Sequence, residues 1–232
     1  GVRQEGQAWG DDHAPEIDMN NASSVTIIKG VDAIRYGSQA LGGMIRLEPK
    51  ELPYNRMKIG GNLSTSYGSN GKRYALTGYL DGSLPFAKSI AWRVQGTLLN
   101  GGDRKTAKYL LNNTGVREYD FSTALGYRKR DVSFDLFYSR YDSKTGVLYT
   151  SQRGDIDLLK ERIKIGRPLE IEPFTRKIDY PYQQVIHQIF RVKSDWDINT
   201  KNQLHVQYSY QTDHRDEFHA RRNNLSHIPS LS

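Results

Sequence analysis

The stretch Ile90-Ala91-Trp92-Arg93-Val94-Gln95-Gly96-Thr97-Leu98 puts Ile, Trp, Val and Leu on one side of an extended chain and Ala, Arg, Gln and Thr on the other. Successive side chains of a strand point to opposite faces, so this is a strand with one apolar and one polar side. The period recurs further along. Val132, Phe134, Leu136 and Tyr138 alternate with Ser133, Asp135 and Ser139, and Leu204, Val206, Tyr208 and Tyr210 alternate with His205, Gln207 and Ser209. Tyr119, Phe121, Leu125 and Tyr127 face away from Asp120, Ser122 and Arg128. Segments 57–67, 73–84 and 185–198 bring the count to about seven strands.

The connections between these strands alternate in length. Residues 86–88, 128–131 and 199–202 are tight turns suited to hairpins. Residues 101–118, 142–184 and those from 216 onward form long connections, and only 68–72 on that side is brief. Short turns at one end and long loops at the other mark a membrane β-barrel, whereas soluble sandwiches seldom carry structureless loops of about forty residues. Within the longest loop, Asp155 is placed to cap a helix with Ile156, Leu159 and Ile163 on one face, ended by Gly166 and Pro168. Such a helix packs the loop down or forms a lid over a ligand.

Composition points the same way. The 232 residues are 37% hydrophobic, yet 25 of them are Phe, Tyr or Trp. A mean hydropathy of -0.70 is low for a closed apolar core but suits strands that need an apolar residue only at every second position. No apolar run approaches the roughly 18 residues of a transmembrane helix. Tyr67, Tyr74, Tyr109, Tyr119, Tyr127, Tyr138, Tyr141, Trp196, Tyr208 and Tyr210 lie near strand ends, where amphipathic rings favour the headgroup level. The net charge of +7 is scattered among acids rather than gathered on one face, so nucleic acid is not an expected partner. The chain has no Cys, which excludes a disulfide scaffold and thiol chemistry. It lacks G-x-S-x-G, H-E-x-x-H, P-loop and dinucleotide motifs, so no enzyme activity, catalytic residue, resident metal or cofactor is expected.

The first fifty residues read differently. Ser24-Val25-Thr26-Ile27-Ile28-Lys29-Gly30, then Ala33-Ile34-Arg35-Tyr36-Gly37-Ser38, then Ala40-Leu41-Gly42-Gly43-Met44-Ile45 resembles the end of the plug domain of TonB-dependent outer-membrane receptors. That family reads as strand, K-G, a turn ending in Y-G, a G-G pair and a second strand. Residues 3–18 also look like a plug loop of one branch of the family, with Ala14 where a Gly more usually stands. The resemblance implies a fold that is mainly all-β: part of a plugged antiparallel transmembrane barrel, preceded by the end of a small α+β plug domain. The expected division is residues 1–50 as the C-terminal part of the plug, 51–56 as a linker, and 57–232 as the N-terminal portion of the barrel with its extracellular loops. Seven strands do not close a single-chain bacterial barrel, so the remaining strands are expected from the same polypeptide or another chain. The opening Gly1-Val2-Arg3 reads as the middle of a longer protein or as a processed fragment, and the resemblance implies coupling to TonB through an N-terminal segment outside this sequence.

The resemblance further implies active import of a scarce nutrient across the bacterial outer membrane, with ferric siderophore, haem, cobalamin or another metal chelate as substrate. An oligosaccharide or peptide importer of the same architecture, and a passive porin or adhesin barrel, remain alternatives. Partners implied are the TonB–ExbB–ExbD complex, outer-membrane lipid and lipopolysaccharide, and a small-molecule or glycan substrate. Trp9, Asp11, Asp12 and His13 form the expected plug apex, with groups able to meet a metal complex, a cation or a sugar. His214 and His219 follow the seventh strand and are expected to line the vestibule. Lys29, Gly30, Arg35, Tyr36, Gly37, Gly42 and Gly43 carry the plug motif in a structural role. Arg35 is expected to meet an inward carboxylate such as Asp135.

Overall fold

The computed structural model describes residues 2, 17–36, 43–56, 58–148, 156–168, 171–218 and 228–229. Near the start, Asp18 caps a single 3-10 turn, Met19–Asn21, by accepting from the Asn20 backbone N–H at 2.9 Å. Strand β1 (Ala22–Lys29) then pairs antiparallel with β2 (Gly43–Pro49), from Lys29 opposite Gly43 to Ala22 opposite Pro49. The 3-10 segment Gly30–Tyr36 lies between them. Residues 22–49 thus include a two-stranded unit in which Lys29 ends β1 and Gly30 opens the 3-10 segment that runs to Arg35 and Tyr36. Gly43 has φ of 129°, and a Cβ there would lie 2.8 Å from the Ile28 carbonyl oxygen, so the return strand starts on glycine. Gly37 and Gly42 lie outside the described residues.

The larger sheet starts with β3 (Gly60–Gly68), β4 (Arg73–Leu84) and β5 (Ala87–Gly101). A small hairpin of β6 (Arg104–Lys105) and β7 (Leu110–Leu111) stands in the next connection. The sheet continues with β8 (Val116–Lys129) and β9 (Val132–Gly146). After helix α1 (Ile156–Ile165) come β10 (Tyr182–Asn199), β11 (Asn202–Phe218) and the two-residue β12 (Ile228–Pro229). The order is β3-β4-β5-β8-β9-β10-β11-β12, with every neighbouring pair antiparallel. Hairpin turns join β4 to β5, β8 to β9 and β10 to β11. In the last, Asn199 Oδ1 accepts from the N–H groups of Lys201 and Asn202.

The seven long strands coincide with the seven read from alternation, but their bounds differ: β8 starts at Val116, β9 runs to Gly146, β10 starts at Tyr182 and β11 runs to Phe218, all inside stretches read as long connections. β3 starts at Gly60 rather than at residue 57. The reason lies on β4: the Arg56 carbonyl accepts from both the N–H (3.3 Å) and the hydroxyl (2.6 Å) of Ser83, so incoming chain occupies the edge of β4 there.

The two faces of the sheet reverse the order of a soluble protein. Leu63, Leu80, Leu98, Phe121, Leu125, Val206 and Tyr208 are exposed on one face. One register row across it runs Leu80, Val94, Thr123, Tyr138, Phe190, Tyr210. The opposite face buries Gln95, Thr97, Asp120, Ser122, Ser143 and His187 alongside Ala91, Leu99, Val185 and Ile189. Buried polar and exposed apolar positions on one sheet make sense where the apolar face meets hydrocarbon and the polar face meets an inner domain. Among the described residues, no helix is long and apolar enough to cross a membrane. Helix α1 spans the expected segment, but Ile156 and Ile163 are 67% and 72% exposed, so these two residues do not pack the loop down. Its expected cap, Asp155, lies outside the described residues.

Candidate functional site

The first segment meets the polar face through short side chains. Asp18 Oδ2 accepts from the Thr97 hydroxyl at 2.8 Å and from Gln95 Nε2 at 3.3 Å. Its other oxygen takes the Asn20 amide at 2.7 Å, and that amide reaches Thr97 Oγ1 at 3.5 Å. The Ser122 hydroxyl donates to Asn21 Oδ1 at 2.5 Å, and Thr77 shares a hydrogen bond with Thr97 at 3.2 Å. β5 supplies Gln95 and Thr97 because they fall at the polar positions of its two-residue period. Beside these bonds opens a cleft of about 470 Å³, lined by Ser64, Thr77, Tyr79, Gln95, Glu118 and Tyr141 among others.

A second attachment holds the chain between β2 and β3. Asp81 on β4 is 3% exposed and receives both Arg93, at 2.8 Å, and Arg56. The Arg93 guanidinium also donates to the carbonyls of Lys50 and Glu51, each at 2.8 Å. Tyr54 donates its hydroxyl to Asp135 at 3.2 Å and lies under Arg128, whose guanidinium carbon is 4.6 Å from the ring centre. Burial, and next the Asp135 carboxylate, push the Tyr54 phenol up to about 12. The inward Asp135 thus serves the linker. The backbone of Arg35 is described; its side chain is outside the described set.

At the opposite end of the strands the connections are tied together. Asp103, 1% exposed, accepts from the backbone N–H groups of Thr175 (3.1 Å) and Thr114 (3.4 Å) and from the Asn112 amide. Asn113, equally buried, donates to the carbonyls of Val147 and Pro181 and accepts from the Asp179 N–H. Gly102 N–H donates to the Gly71 carbonyl, which joins the short β3–β4 turn to the same knot. Alternation gives no sign of this knot; its only trace in the sequence is the Asn112-Asn113-Thr114-Gly115 run, which reads as turn chemistry.

The apex candidates Trp9, Asp11, Asp12 and His13, and His219, lie outside the described residues. His214 stands on the outer face of β11, with Nε2 3.1 Å from Asp216 Oδ2, while its neighbours Asp213 and Arg215 point to the polar face that also holds His187. The inward positions at this end are therefore odd-numbered on β11. Among the described residues, no group of three or more His, Asp or Glu is arranged to hold a metal ion.

No family model and no curated protein sequence matches the chain. Solved structures do match it. A variant of the ferric enterobactin receptor PfeA from Pseudomonas aeruginosa, in complex with enterobactin, superposes with a TM-score of 0.66 at 14% identity, over 90% of this chain and 32% of that one. The chain has the fold of a siderophore-receptor segment. A second PfeA variant gives 0.65 at 15% identity over 90% and 31% of the two chains. The siderophore receptor PirA from Acinetobacter baumannii gives 0.62 at 14% identity over 85% and 27%. The chain therefore spans about a third of the length of the structures it matches.

Proposed function

We propose that this chain is part of a TonB-dependent receptor that imports a scarce metal chelate of the ferric-siderophore class across the outer membrane of a Gram-negative bacterium. In this reading residues 1–50 close the plug, 51–56 link it to the barrel, and the apolar face of the sheet lies in lipid. The observation that carries the proposal is the junction of Asp18, Asn20 and Asn21 with Gln95, Thr97 and Ser122, on a sheet whose other face exposes an apolar band. A porin or adhesin barrel gives no reason for a folded segment hydrogen-bonded to its inner wall. The likeness to PfeA and PirA supports the siderophore class over oligosaccharide or peptide substrates.

Binding would come from the apex, with Trp9, Asp11, Asp12 and His13, and from outer loops including His219. Uptake would follow from energised movement of the plug, driven by the TonB–ExbB–ExbD complex, with no covalent step. The test uses the intact receptor. Deleting its gene in an iron-starved host should abolish growth on at least one ferric siderophore, and the purified receptor should bind that chelate with micromolar or better affinity. Normal growth on every chelate tried, together with an open ion-conducting channel in planar bilayers, would overturn the proposal in favour of a porin.

A further inference from the structure

β8 turns its even-numbered side chains to the polar face, so Glu118 and Asp120 stand there two positions apart, with Glu118 on the lining of the cleft. The Glu118 carboxyl lies within hydrogen-bonding reach of Asp120. Asp120 is 6% exposed: its Oδ1 accepts from the Asp142 backbone N–H at 3.3 Å, and its Oδ2 is buried with no hydrogen-bond donor among the described residues. A buried polar atom left bare forfeits its hydration for nothing in return, so this oxygen calls for an explanation. Nearby charge does not supply one. β5 presents uncharged Gln95 and Thr97, the latter the register partner of Asp120. β9 presents Tyr141, whose hydroxyl goes to Glu118 Oε2 at 3.4 Å, and the same row continues through His187 on β10 to Asp213 on β11. Lys50 and Arg73 line other parts of the cleft, with Lys50 Nζ held 4.7 Å from the centre of Tyr79. The charges that bear on Asp120 are those of Glu118 and, across the junction, Asp18, and both are negative.

Two carboxyls in contact do not both ionise, because one proton between them turns repulsion into a hydrogen bond. We propose that Asp120 and Glu118 share one proton while residues 18–21 are docked on the wall, and that this proton latches the junction. It gives Asp120 Oδ2 its missing bond, donated to Glu118 or accepted from it. Its loss leaves two adjacent buried charges next to Asp18, whose carboxylate is fastened to Thr97, the register neighbour of Asp120. Glu118 and Asp120 are fixed in β8, so the repulsion acts on Asp18 and drives 18–21 off the wall. Docking therefore takes up one proton from solvent, undocking returns it, and the junction weakens as pH rises. In the import reading, on which only this last step rests, an alkaline medium would loosen the hold of the plug on the wall before any pull is applied.

Two measurements on the intact protein test the latch. In infrared spectra at neutral pH the wild type should show a protonated-carboxyl C=O band that Asp120→Asn removes. Amide hydrogen exchange at Asn20 and Asn21, whose N–H groups bond Asp18, reads undocking. Asp120→Asn keeps the shape and a donor toward Glu118 but does not titrate, so it is the reference at each pH. The ratio of wild-type to variant exchange rates should climb with pH by up to tenfold per unit, as release of one proton requires. The series stays below about pH 10, where the Tyr54 phenol is still neutral. If Asp120→Asn does not fold, Glu118→Gln serves with the same two readouts. A C=O band that the substitution leaves in place, or a ratio constant within about threefold from about pH 6 to about 9, would overturn the latch. Loss of both signals in a protein that still takes up a chelate would overturn the latch alone. Both signals present in a protein that conducts ions as an open pore would overturn the import reading and leave the shared proton standing.

Discussion

Replacing Asp81 by Ala should release the linker while leaving the sheet intact. Asp81 is 3% exposed and holds two guanidinium groups. Removing one partner of a buried ion pair costs about 3–5 kcal/mol when the other is left uncompensated. The cost here is smaller, because Arg93 keeps the Lys50 and Glu51 carbonyls at 2.8 Å, and the Arg56 side chain is already 44% exposed and can turn to water. We expect a loss of about 2–3 kcal/mol in linker docking, which is roughly 30- to 150-fold in the open population. Amide hydrogen exchange in the intact protein reads this directly, since local opening sets the exchange rate. The reporters are the Asn55 N–H, bonded to the Lys88 carbonyl, and the Ser83 N–H, bonded to the Arg56 carbonyl. Both should exchange faster by that factor, and Asp81→Asn, which keeps an acceptor, should fall in between. A change under about threefold at both amides, or equal acceleration of mid-sheet amides such as that of Thr123, would refute the reasoning.

Leu98 lies in the apolar band, 45% exposed, opposite Leu76 and Tyr119. On the membrane reading, Leu98→Arg should cost about 2–4 kcal/mol of insertion, measured by urea titration of the intact protein folding into lipid vesicles. Tyr54 favours its neutral phenol in the folded protein, with a pKa raised to about 12 from 10. The stability it contributes is complete below pH 10 and is lost as pH climbs from there through about 12, so the wild-type minus Tyr54→Phe absorbance difference at the phenolate band should rise near pH 12. Asp103→Ala strips the acceptor from the Thr114 and Thr175 N–H groups. At about 1–3 kcal/mol for each buried orphan, the loop knot should loosen and trypsin should cut sooner at Arg104 and Arg176 than in the wild type.

Alternation made the seven strands legible because each faces two unlike surroundings, so Trp92 and Val94 on one side and Gln95 and Thr97 on the other encode both the period and the faces. The pairing of β1 with β2 was legible for a different reason: Gly43 is held by a backbone conformation and a close approach that few other residues tolerate. The linker clamp was not legible. Asp81, Arg93 and Arg56 look like ordinary surface charges in sequence, and only the β4–β5 register, which sets Asp81 opposite Arg93, brings them together beneath the incoming chain. The loop knot escaped for the same reason on a longer scale, since Asn112 meets Glu172 and Asn113 meets Asp179 across 60 and 66 positions.

The two attachments of the first segment to the wall both use a buried carboxylate, but only the second pairs it with cations, and in the import reading that difference sets an order of events. The contact of 18–21 with β5 and β8 consists of four hydrogen bonds: Gln95 and Thr97 each donate to the Asp18 carboxylate, the Asn20 amide donates to Thr97, and Ser122 donates to Asn21. The two bonds to the carboxylate contribute about 1.5–3 kcal/mol each and the two neutral ones about 0.5–1.5 each, and water can replace all four without an ion pair being broken. The clamp at 50–56 engages a buried carboxylate and two guanidinium groups, charge-assisted bonds of roughly twice the strength of neutral ones. It also carries the Tyr54 ring packed beside Gly126, where any Cβ would run into the Tyr54 hydroxyl. A pull applied upstream of residue 17 would therefore peel 18–21 from the wall first and stop at the clamp, so the plug would swing about residues 50–56 without leaving the barrel wall there.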